Sequence, residues 1–337
     1  MRTLLLICLL LTVSLVGCRS GGDNASQGHP TQEVRTIRGD IKQEDLVPVS
    51  MPVSLEIPAL LAVHAGDIYV GDQKRLEIFR LSPDGTLKAI IGRGRGQGPG
   101  EMQQMIDLTF QDGKIWVVDL RAHLLHVFGL KGTFLRNVVM PKDILRLKAI
   151  DRGTLVAHVV MTQEPFITLD TLGQIQHTWG SELLQYTDHP LARTGDLIYT
   201  PEDHLLHFIP AYASYIFTYT PDGTLQKEAI LVDRFPFPGQ TRVRKGEGIM
   251  AIQRPQSNLL QSAVGVHGGK LFIVTQVRAR EKAPWYRYLD VYTYPEMEYA
   301  YSYQLHIRPS AMAVYDRNTL LVTGDTALYR VKLPDLF

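Results

Sequence analysis

Cysteine is almost missing from this chain. Of 337 residues only Cys8 and Cys18 are cysteines, so nothing beyond position 18 can form a disulfide. The body must therefore hold together by packing alone. An excess of one charge sign is missing too, with 35 Lys+Arg against 34 Asp+Glu and a formal net charge of +1. Bulk charge gives no reason to expect nucleic acid or an anionic membrane surface as partner. Nucleotide signatures are absent. In Gly92-Arg-Gly-Arg-Gly-Gln-Gly-Pro-Gly-Glu101 the position five after each candidate glycine falls on Gln97, Pro99 or Glu101, and no Gly-Lys-Ser/Thr follows. That stretch reads as a flexible connection rather than a phosphate loop. A Gly-x-Ser-x-Gly elbow, the mark of many serine hydrolases, does not occur.

What is present begins at the N-terminus. Met1-Arg2 supplies a positive start, and Leu4 to Val16 is nearly all apolar. The run is too short to span a bilayer and matches the apolar region of a signal peptide. It ends in Leu15-Val16-Gly17-Cys18, which resembles the bacterial lipobox and implies cleavage before Cys18 and lipidation of that residue. The small polar stretch from Gly21 to Pro30 then reads as a tether. The expected organisation is a signal peptide over 1–17, a lipidated cysteine and tether over 18–45, and a folded body over 46–337. The expected place is the bacterial cell envelope, at the outer membrane, with the membrane itself a partner through the lipid.

The body repeats. Arg75 to Ile91 reads as two strands around Pro83-Asp84-Gly85, and Tyr215 to Ile230 brings back Pro-Asp-Gly-Thr-Leu about 138 residues later. Ile68-Tyr-Val70 and Ile115-Trp-Val117 occupy matching places about 47 residues apart. A period in the forties with four short strands per copy predicts an all-β, six-bladed β-propeller. The last copy, from Ala311 to Leu333, holds only three strands. An early strand must close the ring so that no sheet edge stays open. Val47 to Leu55 is the expected closing strand, with Val34 to Ile37 as the alternative. Ile-Tyr-Val-Gly-Asp, Leu-Glu-Ile-Phe, Pro-Asp-Gly-Thr-Leu and the glycine-rich stretch resemble NHL-type repeats. With the lipobox, they resemble the six-bladed propeller lipoproteins of Bacteroidetes (NHL-repeat or TolB-like). That resemblance implies a fold and an envelope location and carries no catalytic residue.

Metal chemistry finds little support. His123 and His126, like His204 and His207, are three apart, which on a strand places them on opposite faces. Six-bladed lactonase-like enzymes hold calcium with acidic side chains around the tunnel. Here the proposed inner strands carry only Asp107 as an acid, too few oxygen ligands for a hard cation. No metal and no cofactor are expected.

Charge layout says more. In an up-and-down blade, connections between blades and turns between the second and third strands leave from one end. Arg93, Arg95, Arg121, Arg242, Arg244, Arg278 and Arg280 fall on such segments, with Trp285 and Tyr286 beside them. Arginine beside aromatic rings suits carboxylate, sulfate or phosphate groups. The expectation is a monomeric envelope protein that binds an anionic ligand or a protein partner on a basic face. The competing expectation is a lyase or hydrolase at the tunnel mouth, with Arg93, Glu101, His123 and His204 as acid–base candidates.

Overall fold

A computed structural model describes residues 35–150, 153–239, 244–246, 249–251, 257–279 and 283–333. Six sheets, each built on successive antiparallel strands, lie in chain order around a ring. Blade 1 covers 58–91, blade 2 105–139, blade 3 144–179, blade 4 195–230, blade 5 259–305 and blade 6 311–332. The first strand of each blade touches the first strand of the next, and Ala311–Asp316 of blade 6 returns to Pro58–His64 of blade 1. This is the six-bladed propeller that the repeat predicts.

Position in the blade explains the residue pattern. A middle strand is packed against neighbouring blades on both faces, so it reads as a continuous apolar run: Asp67–Asp72 is buried at every position. An outer strand has one face in solvent and alternates, as Leu87–Ile91 and Phe134–Val139 do. A buried apolar cluster fills each of the six gaps between blades. Tyr69, Ile78, Ile115 and Phe128 fill the gap between blades 1 and 2, for example.

The repeated turn has a definite job. Gly85, Gly132, Gly173 and Gly223 all sit at positive φ (94°, 90°, 83° and 89°) in the turn before the outer strand. Each also lies against the outer strand of the preceding blade. A Cβ would stand 2.3 Å from the Ile90 carbonyl oxygen at Gly132, 2.6 Å from Val138 at Gly173 and 2.4 Å from the Trp179 ring at Gly223. The turn is therefore a packing contact as well as a reversal. Gly132→Ala is expected to destabilise by about 2–4 kcal/mol, from left-handed backbone strain plus overlap. Gly113→Ala is the control: φ is 70° there, but nothing lies within 4 Å. Equal shifts in urea midpoint for the two variants would show that the contact contributes nothing.

Closure uses the N-terminal segment twice. Val47–Pro48 pairs antiparallel with Ala327–Lys332 as the fourth strand of blade 6, and the Val49 N–H extends the ladder to the Leu328 carbonyl at 2.9 Å. Gly85 confirms the equivalence, since its Cβ would stand 2.2 Å from the Ser50 oxygen, where other blades present an outer strand. The strand expected over Val47 to Leu55 thus closes the ring, although its paired part is shorter. Residues assigned to the tether behave differently from expectation. Ile37–Ile41 forms a fifth strand on blade 5, parallel to Tyr299–Leu305, so the folded body begins by Arg35 rather than at 46. The edge of a complete four-stranded blade still offers unpaired N–H and C=O groups, and this segment takes them.

Arg35 anchors that fifth strand. Its guanidinium is buried between two carboxylates, with Nε 2.9 Å from Asp290 Oδ1 and Nη1 2.6 Å from Asp233 Oδ1. The Tyr288 ring lies 4.2 Å beneath it, and Ser302 Oγ donates to Asp290 at 2.5 Å. Burial lowers the guanidinium pKa, but Asp290 and Asp233 more than offset it and hold the pKa well above the ordinary value. Burial pushes the Asp233 carboxyl up despite Arg35, as expected when one cation serves two anions.

Candidate functional site

Because the strands alternate in direction, the connections between blades and the turns between second and third strands leave at one end of the ring, here the upper face. Two aspartates organise those segments in blades 1 and 2. Asp72, fully buried, accepts the N–H groups of Glu56, Ile57, Lys74 and Arg75. Asp119, also buried, accepts those of Gln103, Gln104 and Ala122 and meets His126 Nε2 at 3.2 Å. Each carboxylate fixes a turn and the connection that enters its blade. Hydrogen bonds from backbone N–H groups and His126 hold the Asp119 carboxyl below its usual range against the cost of burial.

The glycine-rich connection, read from sequence as flexible, is an ordered loop. Arg93 N–H donates to the Gly100 carbonyl at 2.9 Å, Met102 N–H to Gly94 at 2.9 Å and Gly96 N–H to Met102 at 3.1 Å. Met102 is fully buried in the gap between blades 1 and 2 and pins the loop. Arg93 and Arg95 are left exposed on it, with Arg95 Nη1 donating to the Gln103 carbonyl at 3.2 Å. Glu101 could have neutralised them. Its carboxylate instead accepts the Gly98 N–H at 2.8 Å. Arg121, beside the Asp119-held turn, is exposed as well.

Across the ring, Arg278 stacks on Trp285 at 4.7 Å, and Tyr286 beside it is 47% exposed. Arg287 Nε donates to Gln276 Oε1 at 3.2 Å, and burial together with neighbouring Arg308 lowers its pKa. Arg308, in the connection from blade 5 to blade 6, is an exposed member of this group that sequence reading did not pick out; its lone place in Ile307-Arg308-Pro309 gives no pattern to notice. Among the described residues, Arg93, Arg121, Arg234 and Arg308 make no ion pair. Arg244 opens a short strand, Arg244–Gly246, paired with Ile249–Ala251. Arg242, Arg280 and Cys18 lie outside the described residues.

The tunnel wall is polar on one side. Arg146 Nε lies 2.5 Å from Asp196 Oδ1, and Lys148 Nζ 3.7 Å from Asp107 Oδ2. Each carboxylate also accepts an inner-strand N–H from another blade, Leu147 to Asp107 at 2.7 Å and Ala263 to Asp196 at 2.9 Å. Asp107 is thus not the lone acid expected there, because the inner strand of blade 4, Gly195–Thr200, adds Asp196. Both acids are spent on the sheet edges that face the tunnel. No group of three or more His, Cys, Asp or Glu among the described residues could hold a metal ion.

The acid–base candidates do not converge. His123 is exposed and pairs with Asp143 at 3.0 Å on the upper face. His204 sits in a first-to-second-strand turn at the opposite end, with Nδ1 3.0 Å from the Tyr199 hydroxyl. Their partners three residues on are buried: His207 Nε2 meets the Tyr294 hydroxyl at 3.1 Å, and Nδ1 meets Thr218 Oγ1 at 3.0 Å. The lower-face acids are committed locally. Asp67 binds Arg80 at 2.8 Å and Lys88 at 2.5 Å, while Asp84 and Asp222 accept hydrogen bonds within their own turns.

No protein-family model matches the chain, and no curated protein matches it. Solved structures do. A putative exported protein from Bacteroides fragilis is similar with a TM-score of 0.58 at 11% identity, over 89% of this chain and 98% of that one. A member of the DUF4221 family from Bacteroides vulgatus also gives 0.58, at 9% identity over 85% and 95%. A virginiamycin B lyase from Staphylococcus aureus gives 0.52 at 13% identity over 86% and 99%. At such identities the likeness is one of fold, and the fold is a β-propeller.

Proposed function

We propose that this chain is an exported, lipid-anchored propeller that binds an anionic ligand, or the anionic surface of an envelope partner, on its upper face. One observation carries the reading: exposed arginines without carboxylate partners stand on loops held rigid by buried anchors. A rigid mount lowers the entropy cost of gathering cations around an anion. Such arginines, left unpaired, repel one another until an anion arrives. The signal-like start and Cys18 supply the anchor, and the similar fold of a putative exported protein from Bacteroides fragilis fits that location.

The test is capture on an immobilised sulfated or carboxylated matrix at physiological salt. Replacing Arg93, Arg121 and Arg308 together by alanine is expected to weaken retention at least tenfold, given about 0.5–1 kcal/mol for each exposed charge contact. Unchanged retention would remove the upper face from the function. Cys18→Ser is expected to shift the protein from the membrane to the soluble envelope fraction. The lyase reading draws on the fold shared with virginiamycin B lyase. It is the weaker of the two, since Glu101, His123 and His204 form no convergent acid–base pair.

A further inference from the structure

The arginines share one end of the ring without forming one cluster. Lys74, Arg93, Arg95 and Arg121 belong to blades 1 and 2 and the connection between them. Arg234, Arg278, Arg287 and Arg308 belong to blade 5 and the connections on either side of it. In a ring of six, the connection from 1 to 2 faces that from 4 to 5, and blade 2 faces blade 5. The two groups therefore stand on opposite sides of the tunnel mouth.

Acids occupy the quarters between them. Glu164 and Asp188 lie on blade 3 and its exit connection, and Glu56 and Asp325 lie opposite, at blade 6 and the connection into blade 1. Glu56, Asp188 and Asp325 are exposed. Among the described residues, exposed charge thus alternates twice around the rim, as basic, acidic, basic, acidic. A compact anion could use one basic arc but would gain nothing from the other. A linear polyanion laid across the mouth meets both, and the acidic quarters repel it from any other direction. Like-charge flanks select direction as effectively as attraction does.

We infer that the upper face is a track for a linear acidic polysaccharide running from blades 1 and 2 across the mouth to blade 5. Among polyanions, the glycan is favoured by Trp285 and Tyr286 at one end of the track, where flat rings suit sugar faces beside the Arg278 guanidinium. This inference rests on the basic-face reading and adds to it a chain length and a direction. Two arcs bridged by one ligand act as linked sites, so affinity rises steeply once the ligand spans both.

The experiment uses heparin-derived oligosaccharides of graded length, from disaccharide to dodecasaccharide, binding to the detergent-solubilised full chain at fixed salt. Affinity is expected to rise at least tenfold over a narrow range of lengths. Arg93→Ala with Arg121→Ala, or Arg287→Ala with Arg308→Ala, should each abolish that rise while leaving the short-oligomer affinity within a few-fold. Poly-glutamate of matched charge should bind at least tenfold more weakly; equal binding would overturn the glycan assignment. A smooth, length-independent affinity lost through one arc alone would overturn the track and leave the basic-face reading standing. If no oligomer binds at any length, both fall.

Discussion

Replacing Arg35 by alanine will destabilise the propeller by about 3–5 kcal/mol, the cost of leaving a buried ion cluster without its cation. Asp233 and Asp290 would then face each other with no counter-charge in a site that excludes water. Arg35→Lys will recover little. An ammonium cannot present Nε and both terminal nitrogens to two carboxylates at once, as the fork does here. Adding Asp233→Asn to Arg35→Ala should restore part of the loss, because burial already pushes the Asp233 carboxyl toward its neutral form. Urea unfolding of the three variants is the measurement. A shift below about 1 kcal/mol for Arg35→Ala would mean that the fifth strand is held by its backbone ladder alone.

Acidification will unfold the protein earlier than its carboxylates alone would suggest. His158 and His207 are buried and neutral, and burial lowers their pKa to about 3 and about 4 from 6.5. The charge of Arg146 adds to the effect at His158. The sign follows directly. Below pH 6.5 the unfolded chain takes up a proton at each histidine while the folded chain does not, so stability is full above 6.5 and falls as pH drops. The loss approaches about 1.4 kcal/mol per pH unit for each histidine and continues down to their folded pKa values. Urea midpoints at pH 7.5, 5.5 and 4.5 will show the fall, and His207→Gln should flatten it. A midpoint that does not move between pH 7.5 and 5 would contradict the buried neutral state of both rings.

The legible part of the fold was uneven for a physical reason. Blades 1 and 2 stand out in the sequence because each carries its fold twice over, in an apolar middle strand and in an aspartate, Asp72 or Asp119, at that strand's end. In blade 3 the register that pairs Asp72 with Pro58 and Asp119 with Met105 pairs Val159 with Ile144 instead. In blade 6 the place falls to Thr323, whose hydroxyl accepts the Ala311 N–H at 3.0 Å. Blade 5 also lacks the turn glycine, and Met297 takes the positive φ at 60°. Where geometry is kept but the side chain changes, the repeat fades from view while the blade remains.

Two features were beyond reading from the chain. Arg35 meets Asp233 and Asp290 across 198 and 255 residues, and no local pattern ties such partners together. Ile37–Ile41 alternates only weakly and reads as tether, because its strand character comes from the blade 5 edge that receives it. The same limit applies to the arginines. Their common end of the ring follows from strand alternation, which sequence reveals. Their division into two opposed arcs follows from ring order and from the acids between them.

Periodic apolar runs and left-handed turn glycines, being local, determined the blade, its count and the direction of its loops from the chain alone. Which distant side chains meet, where the first folded residues dock and how charge alternates around the rim were decided by closing the ring. Closure brings together residues that share no stretch of sequence, and their energies depend on burial and distance that no single strand contains.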